Sequence, residues 1–115
     1  MNGVNPQMTT TKRKLPSDYL AQGWCQGMWA CNAAGYSVRV DAFEACSWCL
    51  HGALEFAHVL GHISLSERDS LRGWLFNRSY TSRWSDARSR TQAEVVAVML
   101  EAEAAVLKPT TEEAV

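Results

Sequence analysis

The residues best suited to chemistry in this chain are its four cysteines and three histidines. Cys25, Cys31, Cys46 and Cys49 can be drawn as a tetrahedral zinc site, since zinc takes four thiolates. Structural zinc sites usually draw a C-x-x-C pair from a turn, however, and here the pair reads as helical. A helical wheel spreads Cys46 and Cys49 by about 60°, with Cys46 toward the core and Cys49 toward a flank. Buried thiols are therefore the expectation, with a redox role for Cys46 near a helix start as a lesser alternative. His51, Glu55, His58 and His62 recur at i, i+4, i+7 and i+11, so imidazoles and a carboxylate could share a metal or act as acid and base. The His-Glu-x-x-His order of zinc proteases is missing. A solvated helix face with His–Glu pairs is the adopted reading, and no metal or cofactor is assigned. His51, Glu55, His58, Cys46 and Cys49 are retained as the metal candidates.

Two further constellations carry polar chemistry. Trp84-Ser85-Asp86 leads into Arg90-Thr91, and an aspartate beside an arginine and a helix start can bind an anion. It can equally act as a structural lock, with Asp86 accepting backbone N–H groups. Trp24 and Gln26 are assigned to the same polar cluster. The other constellation is arginine-rich. Six of the eleven basic residues are arginines between Arg68 and Arg90, interleaved with Trp74, Phe76, Tyr80 and Trp84. Guanidinium groups among aromatic rings suit a protein hot spot or a nucleic acid. Arg68, Arg72, Arg78, Tyr80, Arg83 and Arg88 are the candidate partner-binding residues. No nucleophile–base–orienter set is legible, which favours a non-enzymatic role.

The elements that must position these groups follow from period and punctuation. Residues 1–13 are polar and aperiodic and are expected to form a disordered leader. Residues 14–107 are expected to form one globular domain, and 108–115 a flexible tail. Pro16 suits a helix start, with Leu15, Tyr19 and Leu20 on one face and Gly23 at the end. The runs Met28 to Cys31 and Tyr36 to Val40 flank a turn ending in Gly35 and predict a β-hairpin. Asp41 to Gly61 reads as the central helix, buried around most of its circumference, with Asp41 and Glu44 as a capping box. Ser64 with Glu67 opens a shorter helix carrying Leu71, Trp74 and Leu75. Asn77 to Arg90 reads as a loop anchored by Trp84. Thr91 with Glu94 opens a helix over Gln92 to Leu107, whose buried stripe is Val95, Val98, Met99, Ala102 and Val106. The expected architecture is a small α+β domain: a central buried helix, a β-hairpin and about three further helices.

Composition is that of an ordinary globular chain, 47% hydrophobic and 20% charged. A net charge of −1 gives no overall attraction to nucleic acid or membrane. No apolar run approaches the ~18 residues of a membrane span, and the start has no secretory h-region, so a cytoplasmic protein is expected.

Four segments stand in a fixed order: Gly23-Trp24-Cys25-Gln26-Gly27; Ala45-Cys46-Ser47-Trp48-Cys49 with Gly52-Ala53; Trp84-Ser85-Asp86; and Arg90-Thr91-Gln92-Ala93-Glu94-Val95-Val96. Together they resemble a small bacterial and bacteriophage family known only as a domain of unknown function, with recurring GWCQG, C-x-x-G-A, W-N-D and R-T-Q-A-E-V segments. The resemblance runs from about Tyr19 to Val106. Ser85 departs from it, standing where the family usually has asparagine, and the arginine-rich insert is peculiar to this chain. The resemblance implies a fold without a reaction, and a phage-encoded protein acting on a host target. The expected function is a non-enzymatic protein-interaction module, in its finer form a phage-encoded inhibitor of a host defence protein. The alternatives are a metal-binding module or metal-dependent enzyme, and a nucleic-acid-binding protein.

Overall fold

The computed structural model describes residues 13–107. The expected tail, and the expected leader apart from Arg13, lie outside the described residues. Arg13 itself is tied to the domain: its Nη1 donates to the His62 carbonyl at 2.9 Å and pairs with Glu67 at 3.1 Å. In chain order the elements are α1 (Pro16–Gln22), β1 (Ala30–Cys31), β2 (Ser47–Trp48), α2 (Leu50–Val59), α3 (Leu65–Asn77), α4 (Ser82–Ser85) and α5 (Gln92–Val106). The architecture is α+β, with α2 at its centre.

Leu50, Ala53, Leu54 and Ala57 of α2 are wholly buried. They belong to one core with Tyr19 and Leu20 of α1, Leu71 and Leu75 of α3, and Val95, Met99 and Ala102 of α5. One side of this core is aromatic. Trp48 and Phe56 stack with centroids 4.7 Å apart, and Tyr19 meets both edge-on, at 5.6 and 4.8 Å. Offset stacks and edge contacts of this kind suit the ring quadrupoles.

Local grammar fixes two helix starts. Ser64 and Glu67 exchange both bonds of a capping box, as do Thr91 and Glu94. At α1 the cap residue is Leu15, which has no oxygen to offer. Glu103 of α5 takes over instead, its carboxylate accepting from the Ser17 N–H at 2.8 Å and the Ser17 hydroxyl at 2.7 Å. Pro16 has no N–H to satisfy, and the Asp18 N–H reaches the Leu15 carbonyl. The start of α1 is thus closed from the far end of the chain.

Three sequence expectations are corrected. The central helix begins at Leu50, and its cap is Cys49, whose sulfur accepts from the Gly52 N–H at 3.2 Å; Asp41 and Glu44 do not cap it. The reason lies in the backbone of Trp48, which pairs with Gly23 and Cys25 on one side and with Ala30 on the other. Extended pairing on both edges holds Ser47–Trp48 as a strand and forbids helix there. Consequently Cys46 is exposed and Cys49 is buried, the reverse of the wheel, and Phe43 points wholly outward.

The second correction concerns the sheet. β1 pairs antiparallel with β2, in the register Ala30 to Trp48 and Cys31 to Ser47. The segment Tyr36 to Val40 meets β1 only through the Cys31–Ser37 bridge. Its turn does form: Asn32 Oδ1 accepts from the Ala34 and Tyr36 N–H groups, and Gly35 adopts φ +89°. Third, the loop between α3 and α5 contains α4, a single helical turn capped by Thr81.

Candidate functional site

The loop Gly23 to Gly27 and Arg90, just ahead of α5, converge on α4. The loop Gly23 to Gly27 docks on Trp84 to Ala87 through a set of long-range bonds. Gln26 Nε2 donates to the Ser85 and Ala87 carbonyls, both at 2.9 Å. The Gly27 N–H donates to Asp86 Oδ1 at 2.9 Å, and Trp24 Nε1 to Ser85 Oγ at 3.4 Å. Arg90 Nε donates to the Trp84 carbonyl at 2.9 Å while its guanidinium covers the Trp84 ring at 3.9 Å. Thr91 caps α5 directly behind. The structure therefore brings Trp24, Gln26, Trp84, Asp86, Arg90 and Thr91 together, with carbonyls and a carboxylate already engaged by donors of the same chain. Ser85 is the member that sequence reasoning missed. It is fully buried, and its small hydroxyl leaves room for the Trp24 indole. Its only signal was the departure from asparagine. Replacing Gln26 with alanine strands two carbonyls at half-buried positions, so a loss of about 1–2 kcal/mol is expected in urea unfolding.

From this lock an aromatic ladder extends outward. Arg78 covers Trp74 at 3.9 Å, Trp74 stacks with Tyr80 at 6.3 Å, and Tyr80 meets Trp84 edge-on at 4.8 Å. Arg90 closes the far end. The result is arginine, three aromatic rings, arginine, a sequence in which each cation faces the negative face of a ring. Arg83 and Arg88 stand exposed nearby and make no ion pair among the described residues.

The other two candidate arginines behave differently. Arg68 and Arg72 turn toward α2, reaching Glu55 at 3.1 and 3.3 Å, and Arg68 also holds Asp69 at 3.0 Å. The structure thus divides the six partner-binding candidates. Arg78, Tyr80, Arg83 and Arg88 lie on the α3–α5 connection, and Arg68 and Arg72 belong to an ion-pair network with Glu55.

The metal candidates are not brought together. Among the described residues no three His, Cys, Asp or Glu side chains are arranged to hold a metal ion. Glu55 is occupied by two guanidinium groups, and His58 Nδ1 lies 3.2 Å from the Ile63 carbonyl. His51 is buried against Phe76, at 4.8 Å, and does not lie on a solvated face. Neither Cys25 nor Cys49 is primed as a nucleophile. Burial, reinforced by the neighbouring Cys31 thiol, pushes Cys25 up to about 12, and burial also raises Cys49 although it caps a helix. Both stay protonated at neutral pH.

His51 Nε2 lies 3.0 Å from the Tyr80 carbonyl. A carbonyl only accepts, so Nε2 carries the hydrogen, and Nδ1 is left buried without a partner among the described residues. This bond ties α2 to the ladder. Burial holds His51 below its ordinary value of 6.5, and the Arg72 charge adds to the effect, against the Tyr80 bond. Between the lowered value and 6.5 the unfolded chain binds a proton that the folded chain refuses. Stability contributed by neutral His51 is therefore present above pH 6.5 and falls as pH drops below it. Urea midpoints for wild type minus His51→Gln should decline on acidification across that window; a flat difference would refute the linkage.

With fold and site in view, comparison with known families places the chain. Its architecture is that of a small α+β domain. The chain belongs to the Family of unknown function (DUF6197), whose model matches residues 17–105. That span reaches from Ser17, held by Glu103, to the last turn of α5. No match was found among curated proteins or among solved structures.

Proposed function

We propose that the chain is a non-enzymatic protein-interaction module that docks through Arg78, Tyr80, Arg83 and Arg88 on the α3–α5 connection. The observation that carries this reading is the ladder. Its rings and end arginines are stacked in advance, so little side-chain entropy is left to lose on binding. Around it, Arg83 and Arg88 offer cations with no partner of their own among the described residues. Arginine and aromatic side chains in one rigid patch have the composition of interface hot spots. The lock beneath holds the patch in shape. In its finer form the proposal is a phage-encoded inhibitor of a host defence protein, a reading supported by small size and by the resemblance to a bacterial and bacteriophage family.

The test is capture of a bacterial host protein from lysate by the wild-type chain and by Arg78→Glu with Arg83→Glu. Loss of the captured protein from a variant that still melts cooperatively is expected. Unchanged capture would remove this surface as the docking site. Retention of the wild type on heparin, falling steeply with salt, would turn the reading toward nucleic acid.

A further inference from the structure

A different face of the molecule carries a hydrophobic knob beside a hydrophobic hole. The knob is Phe43, on the turn between Arg39 and Ala45, a residue 103% exposed. It is held out by consecutive backbone turns, with the Ala42 N–H on the Arg39 carbonyl and the Ala45 N–H on the Ala42 carbonyl. The hole is a cleft of about 460 Å³ between this segment and α2, walled by Trp29, Val38, Val40 and Val59. Trp29 and Val59 leave half their surface open over it, at 50% and 46%. Its floor is rigid, because Gly52 of α2 packs directly on the Trp29 carbonyl, which also accepts the Cys49 N–H. Asp41 lies on the rim, two residues from Phe43, and pairs with Arg39 at 3.3 Å.

We infer that this face binds a second copy of the chain, each Phe43 entering the other's cleft about a two-fold axis that passes between Arg39 and Asp41. A two-fold contact requires one patch to carry both halves of every interaction. This patch does: a protruding ring beside an apolar recess, and a cation beside an anion. Arg39 is 85% exposed and Asp41 35%, so each can exchange its partner in the same chain for the one in the second copy. Arg39 balances Asp41, and Glu55 in the cleft is held by Arg68 and Arg72, which leaves exposed Glu44 beside Phe43 as a single negative charge, too little to steer a basic partner onto this face. This surface is separate from the aromatic ladder, and the inference stands without the proposed function.

Sedimentation velocity across roughly 5 to 500 µM brackets weak specific association and reads the outcome directly. The wild type should pass from one chain to two. Phe43→Ser and Val59→Glu, both at exposed positions that leave the core untouched, should each weaken the dimer by at least about tenfold. Arg39→Asp and Asp41→Arg should each do so alone, and an equimolar mixture of the two should recover a mixed dimer, since every rim contact is then again between opposite charges. A wild type that stays monomeric throughout overturns the inference. So does a dimer indifferent to Phe43→Ser, which would place the contact elsewhere.

Discussion

Gly52→Ala should unfold the protein or cost it at least about 3 kcal/mol. A Cβ at this position would fall inside the Trp29 carbonyl oxygen. That oxygen cannot retreat, because it accepts the Cys49 N–H that closes the sheet onto the start of α2. The neighbouring element is backbone, so no rotamer change relieves the clash. Moving Trp29 outward would break the Ala30–Trp48 register and with it the floor of the aromatic core. Gly73→Ala supplies the control. Nothing lies near a Cβ there, and the helix gains propensity, so a stabilisation of about 0.5–1 kcal/mol is expected. Urea unfolding of the pair should move in opposite directions. A Gly52→Ala midpoint equal to wild type would show that the seam between Trp29 and α2 is looser than described.

The second large effect is expected at Glu103. Glu103→Ala leaves the Ser17 N–H and hydroxyl without partners in a buried seam and uncaps α1, for a loss of about 2–3 kcal/mol. Ser17→Ala removes only the hydroxyl and should cost about half as much. The site also has a pH signature. Burial raises the Glu103 carboxyl above its ordinary 4.5, with the two Ser17 bonds opposing. Between 4.5 and the raised value the folded chain keeps a proton that the unfolded chain releases. The stability linked to this proton is present below pH 4.5 and is lost as pH rises through the raised value. Glu103→Gln should flatten that portion of the stability profile. Unfolding midpoints measured against pH decide the point, and a Glu103→Gln profile that still slopes like wild type would assign the linkage to another group.

What could be read in advance was whatever is local. Ser64 with Glu67 and Thr91 with Glu94 are capping boxes because both partners lie within three residues, and nothing distant disturbs them. The same grammar at Asp41 and Glu44 misleads, because Trp48 is claimed by Gly23, Cys25 and Ala30, residues that no short window around Asp41 contains. His51 followed the polar side of the wheel, yet it is buried because Phe76 and the Tyr80 carbonyl close over it from the far end of α3. Glu103 carries no local signal at all; its role is set by Ser17, at the other end of the domain. At the candidate site, the members of the ladder are close in sequence and could be grouped from the arginine–aromatic interleaving. Their stacking order, and the withdrawal of Arg68 and Arg72 toward Glu55, depend on how α3 lies against α2.

The docking of Gln26 on Ser85 and Ala87 also bears on the order of folding events. These bonds span 59 and 61 residues, whereas α3 and α5 carry their own start signals. Closing a loop of that length is an entropic cost that the lock repays only after both of its sides are formed. The lock should therefore be absent from the rate-limiting transition state. In stopped-flow chevrons, Gln26→Ala should leave the refolding limb in place and raise the unfolding limb, whereas Thr91→Ala should slow refolding. Strength at this seam would then determine how long the native chain persists, and would have little bearing on how fast it forms.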